Sequence, residues 1–117
     1  MTQIGSAFLP VNDPKAAAEW YAKTFGLAVA SSEEHAAVLE SAEPVRRLTL
    51  LGPKSGISAA PGLGWAPFNL IADDLEELRG RLGEFSEAVS SVNGDDQPCL
   101  WFTAQDPDGN TLLIVDR

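Results

Sequence analysis

Residues 11–27, VNDPKAAAEWYAKTFGL, carry the reading of the fold. Asp13 is a good N-cap, because a short carboxylate there accepts from an N–H that the first helical turn leaves unpaired. Pro14 falls at the first helical position, where its missing N–H costs nothing. Ala17, Trp20, Tyr21 and Phe25 then recur at helical spacing and make one apolar face. Gly26 ends the helix, since only glycine enters the left-handed cap without strain. The apolar run Ile4 to Val11 precedes the cap. The chain therefore opens as a strand followed by a helix.

Beyond Gly26 the period changes to that of strands. Leu27–Ala30 and His35–Leu39 flank the polar turn Ser31-Ser32-Glu33-Glu34 and predict a hairpin. A further run, Val45 to Leu51, stops at Gly52-Pro53. Residues 53–64, broken by Gly and Pro, read as a linker. The order then repeats. Trp65 to Ala72 is strand-like; Asp74 with Glu77 matches a capping box; Leu75, Leu78, Leu82 and Phe85 form the second helical stripe. Ala88 to Val92, a turn at Asn93-Gly94-Asp95-Asp96, Cys99 to Ala104, the turn Asp106-Pro107-Asp108-Gly109 and Thr111 to Val115 complete it. The two caps lie 74 − 13 = 61 residues apart. Module one is about 1–52 and module two about 65–117. Shared element order makes a duplication within a single domain, 1–117, the economical reading.

Composition limits the function. The chain has 117 residues, and 8 Lys+Arg against 17 Asp+Glu give a net charge of −9. A domain of this length buries roughly two-thirds of its unfolded surface, enough for a core without staples. A pI near 4.3 argues against nucleic acid, whose phosphates need a concentrated basic face. One cysteine, Cys99, rules out an internal disulfide. With no leader-like start and no apolar run of spanning length, a cytoplasmic protein with no membrane partner is expected. Residues 61–117 hold three basic and eleven acidic groups, a balance of −8. That excess is either a solvated surface or a field that attracts a cation, depending on where the acids lie.

The string from Val11-Asn12-Asp13-Pro14 through Trp20-Tyr21 to Phe25-Gly26-Leu27 resembles the opening of the vicinal oxygen chelate superfamily, the glyoxalase and bleomycin-resistance family. Asp106-Pro107-Asp108-Gly109-Asn110 resembles that family's turn before its last strand. The resemblance covers essentially the whole chain. It implies an α+β fold of two tandem βαβββ modules, with curved sheets around a cleft, usually in a homodimer. Metal-dependent members carry His or Gln seven residues before each helix cap, which here means Ser6 and Pro67. They carry Glu three residues after the Asn of the final turn, which here is Leu113. The fourth ligand comes from the last strand of module one, where Arg46 to Leu51 offer no carboxylate or imidazole. Proline and leucine ligate nothing, and a hydroxyl is a poor donor to a divalent metal.

No other residue set restores a metal site. His35 sits beside a turn and reads as solvent-exposed. Cys99 reads as a small buried hydrophobe. Asp73-Asp74 and Glu76-Glu77 read as acids that complement a helix dipole. Trp20 and Tyr21 read as core. Trp65 and Phe68 are placed at the start of the fifth strand, and Trp101 and Phe102 on the seventh, where a period of two turns one inward and the other outward. These four aromatics are the candidate ligand walls, against the alternative that the indoles fill core or an interface. The expectation is a small-molecule binder of the antibiotic-sequestering type. It would use no metal or cofactor and take a planar or cationic ligand. The alternative is a metal-dependent lyase or dioxygenase of the same superfamily with unusual ligands.

Overall fold

In a computed structural model, which describes residues 1–84, 88–94 and 99–117, Asp13 caps helix α1 (Pro14–Phe25). Its Oδ1 accepts from the backbone N–H of Lys15 at 3.1 Å and of Ala16 at 3.3 Å. Gly26, at φ 72°, closes the helix and donates its N–H to the carbonyl of Ala22. The buried stripe is Pro14, Ala17, Ala18, Tyr21 and Thr24. Trp20 and Phe25 are only half-buried and flank it, each edge-on to its aromatic neighbour.

The chain divides into two compact units, Met1–Pro61 and Gly62–Arg117. In the first, β1 (Ala7–Pro10), β2 (Ala28–Ser32), β3 (Ala36–Glu40) and β4 (Arg47–Leu51) form a sheet in the order β1-β4-β3-β2. β1 runs parallel to β4, and the other pairs are antiparallel. Leu9, Ala37, Leu39, Leu48 and Leu50 are buried on the side that carries α1. Each such leucine contributes about 1.5–3 kcal/mol of apolar burial. Their strand neighbours Phe8, Val38 and Thr49 point the other way.

The second unit repeats this plan with β5 (Asn69–Ile71), helix α2 (Leu75–Gly83), β6 (Asn93–Gly94), β7 (Leu100–Gln105) and β8 (Thr111–Val115), in the order β5-β8-β7-β6. Asp74 Oδ1 accepts from the N–H of Glu77 at 3.1 Å, so the second expected cap forms. Leu75, Leu78 and Leu82 are buried, while Phe85 lies outside the described residues. The modules also agree in register. Phe8 pairs with Thr49, and Asn69, which is 61 residues after Phe8, pairs with Leu113.

Three expectations change, the first in module one, where Ser31 and Ser32 of the expected turn belong to β2 and pair with Val38 and Ala37. The fifth strand begins at Asn69, so Trp65 and Phe68 precede it on a bent segment. Pro67 has no N–H for a ladder, and pairing cannot extend back through it. The predicted strand Ala88–Val92 is not regular either. Ser90 donates its N–H to the carbonyl of Thr103 at 2.9 Å, but Thr103 N–H returns to Ser90 Oγ, also at 2.9 Å. The Ser90 carbonyl instead accepts from Arg79 Nε of α2 at 2.8 Å. A hydroxyl thus stands in for the ladder carbonyl, and paired strand appears only at Asn93–Gly94. Asp95 and Asp96 of the expected turn lie outside the described residues.

Candidate functional site

The turn at 106–110 is a structural hub. Gly109, at φ 80°, donates its N–H to the Asp106 carbonyl at 3.0 Å, a type I turn followed by a left-handed residue. Asp106 Oδ1 accepts from the N–H groups of Asp108 and Asn110, each at 2.9 Å. The Asn110 amide donates to Asp106 Oδ2 at 3.1 Å. Its oxygen accepts from the N–H groups of Gly62 at 2.9 Å and Leu63 at 3.0 Å. Both side chains are buried and satisfied, so this motif ties the 62–63 segment to the β7–β8 hairpin.

The helix-free face of the second sheet holds one accessible candidate aromatic, Trp101. Phe102, in register with Ile114, is 0% exposed on the helix side. Its place in the core removes it as a ligand wall. Trp101 takes the opposite face, in register with Asn93 and Val115, and is 36% exposed. Ile71, 57% exposed, flanks β8 on the same face. Trp65 is 71% exposed and Phe68 half-buried, both on the segment ahead of β5. The strand residues on this face, among those described, are Asn, Gln, Thr and apolar types with no charge. The described acids of module two lie elsewhere. Asp74, Glu76 and Glu77 begin α2, and Glu77 pairs with Arg81 at 2.7 Å; Asp106 and Asp108 are in the turn. Asp116 accepts the Leu100 N–H at 3.0 Å.

In module one the position that corresponds to a fourth metal ligand is Thr49, because it pairs with Phe8 as Leu113 pairs with Asn69. Thr49 Oγ1 lies 2.8 Å from Ser6 Oγ, across 43 residues of sequence. In the first unit, Ser6 and Thr49 therefore supply two interlocked hydroxyls; in the second, Pro67 and Leu113 have no donor atom in their side chains. In neither unit do these positions offer the imidazole, carboxylate or thiolate that a divalent transition metal prefers. His35 is exposed and its Nδ1 lies 3.4 Å from Glu33, while Glu34 pairs with Lys54 at 3.0 Å. No group of three or more His, Cys, Asp or Glu converges among the described residues. Cys99 is half-buried. No helix among the described residues is long and apolar enough to cross a membrane.

Sequence reasoning missed Thr49 and Phe8. The signal for Phe8 was present, an aromatic on the first strand two residues from Ser6. That for Thr49 required the register of β4.

A family model for the Glyoxalase/Bleomycin resistance protein/Dioxygenase superfamily matches residues 3–114. A comparison with curated proteins finds no match. Among solved structures, the chain is similar to a superfamily member from Sphaerobacter thermophilus, at 19% identity and a TM-score of 0.78, over 98% of this chain and 97% of that one. It is similar to a lactoylglutathione lyase from Agrobacterium tumefaciens, at 20% identity and 0.74, over 98% and 93%. A bleomycin resistance determinant encoded on the transposon Tn5 is similar at 18% identity and 0.69, over 99% and 98%. At these identities the likenesses speak to the fold alone. With the family model matching residues 3–114 of the chain and both βαβββ modules in the expected order, the chain belongs to the glyoxalase/bleomycin resistance protein/dioxygenase superfamily.

Proposed function

We propose that this protein binds a small planar molecule, neutral to cationic, without a metal, as an antibiotic-sequestering member of its superfamily does. The observation that carries this reading is the uncharged, partly apolar sheet face at Trp101 and Ile71 in the second unit; the lack of any imidazole, carboxylate or thiolate at Ser6, Thr49, Pro67 and Leu113 supports its metal-free form. Affinity then comes from stacking, burial and hydrogen bonds. The acids that begin α2 contribute only a long-range field, because that helix packs on the other side of the sheet and salt screens them. Trp101 and Trp65 serve as walls, with Phe68 beside them. The protein acts in the cytoplasm as a homodimer. At −9 per chain, apolar contact has to dominate its interface.

Titration with neutral and cationic planar aromatics, followed by tryptophan emission, tests the binding. Saturable quenching that weakens in Trp101→Ala supports it. A panel that leaves emission unchanged, together with turnover of a substrate that depends on added metal, replaces it with an enzyme. Sedimentation at micromolar protein in ordinary salt tests the dimer, and a monomer there removes it.

A further inference from the structure

Ser6 Oγ lies within hydrogen-bond distance of three oxygens: the Ala7 carbonyl at 2.9 Å, the Arg47 carbonyl at 3.1 Å and Thr49 Oγ1 at 2.8 Å. A serine has one proton to donate, and a carbonyl can only accept. If that proton went to Thr49, two carbonyl oxygens would face bare lone pairs of Ser6 at these distances. The arrangement that leaves no such repulsion has Ser6 donate to the carbonyls and accept the proton of Thr49. The single Thr49 O–H is then used, and its oxygen keeps its acceptor capacity, with no protein donor directed at it among the described residues.

Thr49 is half-buried on the helix-free face of the first sheet. Its register neighbour on β1 is Phe8, a phenyl ring 51% exposed, and on β3 it is Val38. The nearest charged pair on this face, Arg47 and Glu40, is closed on itself at 3.0 Å. An oriented acceptor thus stands beside an accessible flat apolar surface. We infer that Thr49 receives a hydrogen bond from an N–H or O–H of a small aromatic ligand that packs on Phe8, with Ser6 as the positioning residue that holds the Thr49 proton. The inference rests on the small-molecule reading and adds to it the polarity of the ligand's contacting edge. Where metal-dependent relatives would place ligands, this chain places a hydrogen-bond acceptor.

Paired probes that differ only in the donor test it: 2-naphthol and 2-methoxynaphthalene, titrated into the whole protein and followed by backbone amide shifts. The expected result is saturable shifts at residues 6–8 and 47–49, with the ether about five- to tenfold weaker, the size of one net hydrogen bond. Thr49→Val removes the difference between the probes and Thr49→Ser keeps it; the same spectra report whether each variant is folded. Ser6→Ala frees the Thr49 proton to point outward, so the ether gains relative to the naphthol, which a purely structural role for Ser6 would not produce. Equal binding of the two probes, an unchanged preference in Thr49→Val, or no shift at residues 6–8 and 47–49 overturns the inference. Shifts confined to the surroundings of Trp101 overturn it while leaving the small-molecule reading intact. No shift anywhere counts against both.

Discussion

Gly94 lies under the indole of Trp101 at a distance that excludes any side chain. A Cβ there would stand 3.2 Å from Trp101 Cδ1, 3.3 Å from Nε1 and 2.5 Å from the Cys99 carbonyl oxygen. Its φ of 84° adds a backbone conformation that other residues rarely adopt. The exposed face of β7 thus depends on a glycine one strand away.

Gly94→Ala should cost roughly 1–3 kcal/mol, from left-handed strain and the displaced carbonyl. It should also move the Trp101 indole. Urea unfolding gives the first quantity and the indole N–H resonance of Trp101 the second. An unmoved resonance at native stability would show that β6 and β7 can separate freely.

Asn110→Ala removes the acceptor for Gly62 and Leu63 and the donor to Asp106 Oδ2. Gly62 is exposed and water can take its N–H, so the half-buried Leu63 N–H and the lost bond to Asp106 set an expected loss of about 1–3 kcal/mol. Faster hydrogen exchange should follow at the amides of 62–63. A loss below 1 kcal/mol in urea would mean that water replaces the amide without penalty.

The two caps offer an internal comparison. Asp13→Ala and Asp74→Ala should each cost about 0.5–2 kcal/mol. Asp13 accepts two backbone N–H groups and Asp74 accepts one, so the first variant should lose more. Denaturation midpoints of the pair, measured side by side, decide the order.

Phe102 and Trp101 are neighbours with opposite duties. Phe102→Ala should lose about 3–5 kcal/mol, as expected for a core phenylalanine. Trp101→Ala should lose about 1–2 kcal/mol, because its ring is only partly covered. It should also weaken quenching by cationic aromatics by ~0.5–2 kcal/mol. A reversal of the two stabilities would contradict their placement on the sheet.

Protein soaked with zinc, nickel, manganese or iron and then desalted should retain far less than one ion per chain by elemental analysis. Hydroxyls at Ser6 and Thr49 and apolar side chains at Pro67 and Leu113 make no set that competes with water for such ions. Stoichiometric retention that His35→Ala abolishes would point to a ligand set built around the exposed imidazole.

The elements that could be read from the sequence are those whose partners lie within a few residues. Asp13 reaches the amides of Lys15 and Ala16, Asp74 reaches Glu77, and Gly109 closes on Asp106. Such contacts follow from chain geometry alone, so both helices, the final hairpin and the repeat of the modules were legible. The site was not, because its relationships span the sheet. Residue alternation says that Trp101 and Phe102 face opposite ways but not which is buried; α2 and the register with Ile114 decide that. The short fifth strand follows from Pro67, while at 88–92 the Ser90 carbonyl accepts from Arg79 of α2, a contact distant from it in sequence. Ser6 meets Thr49 only through the parallel pairing of β1 with β4. Local chemistry determined the elements, and long-range register decided which side chains share a face, because one residue of slip in a strand exchanges its two sides.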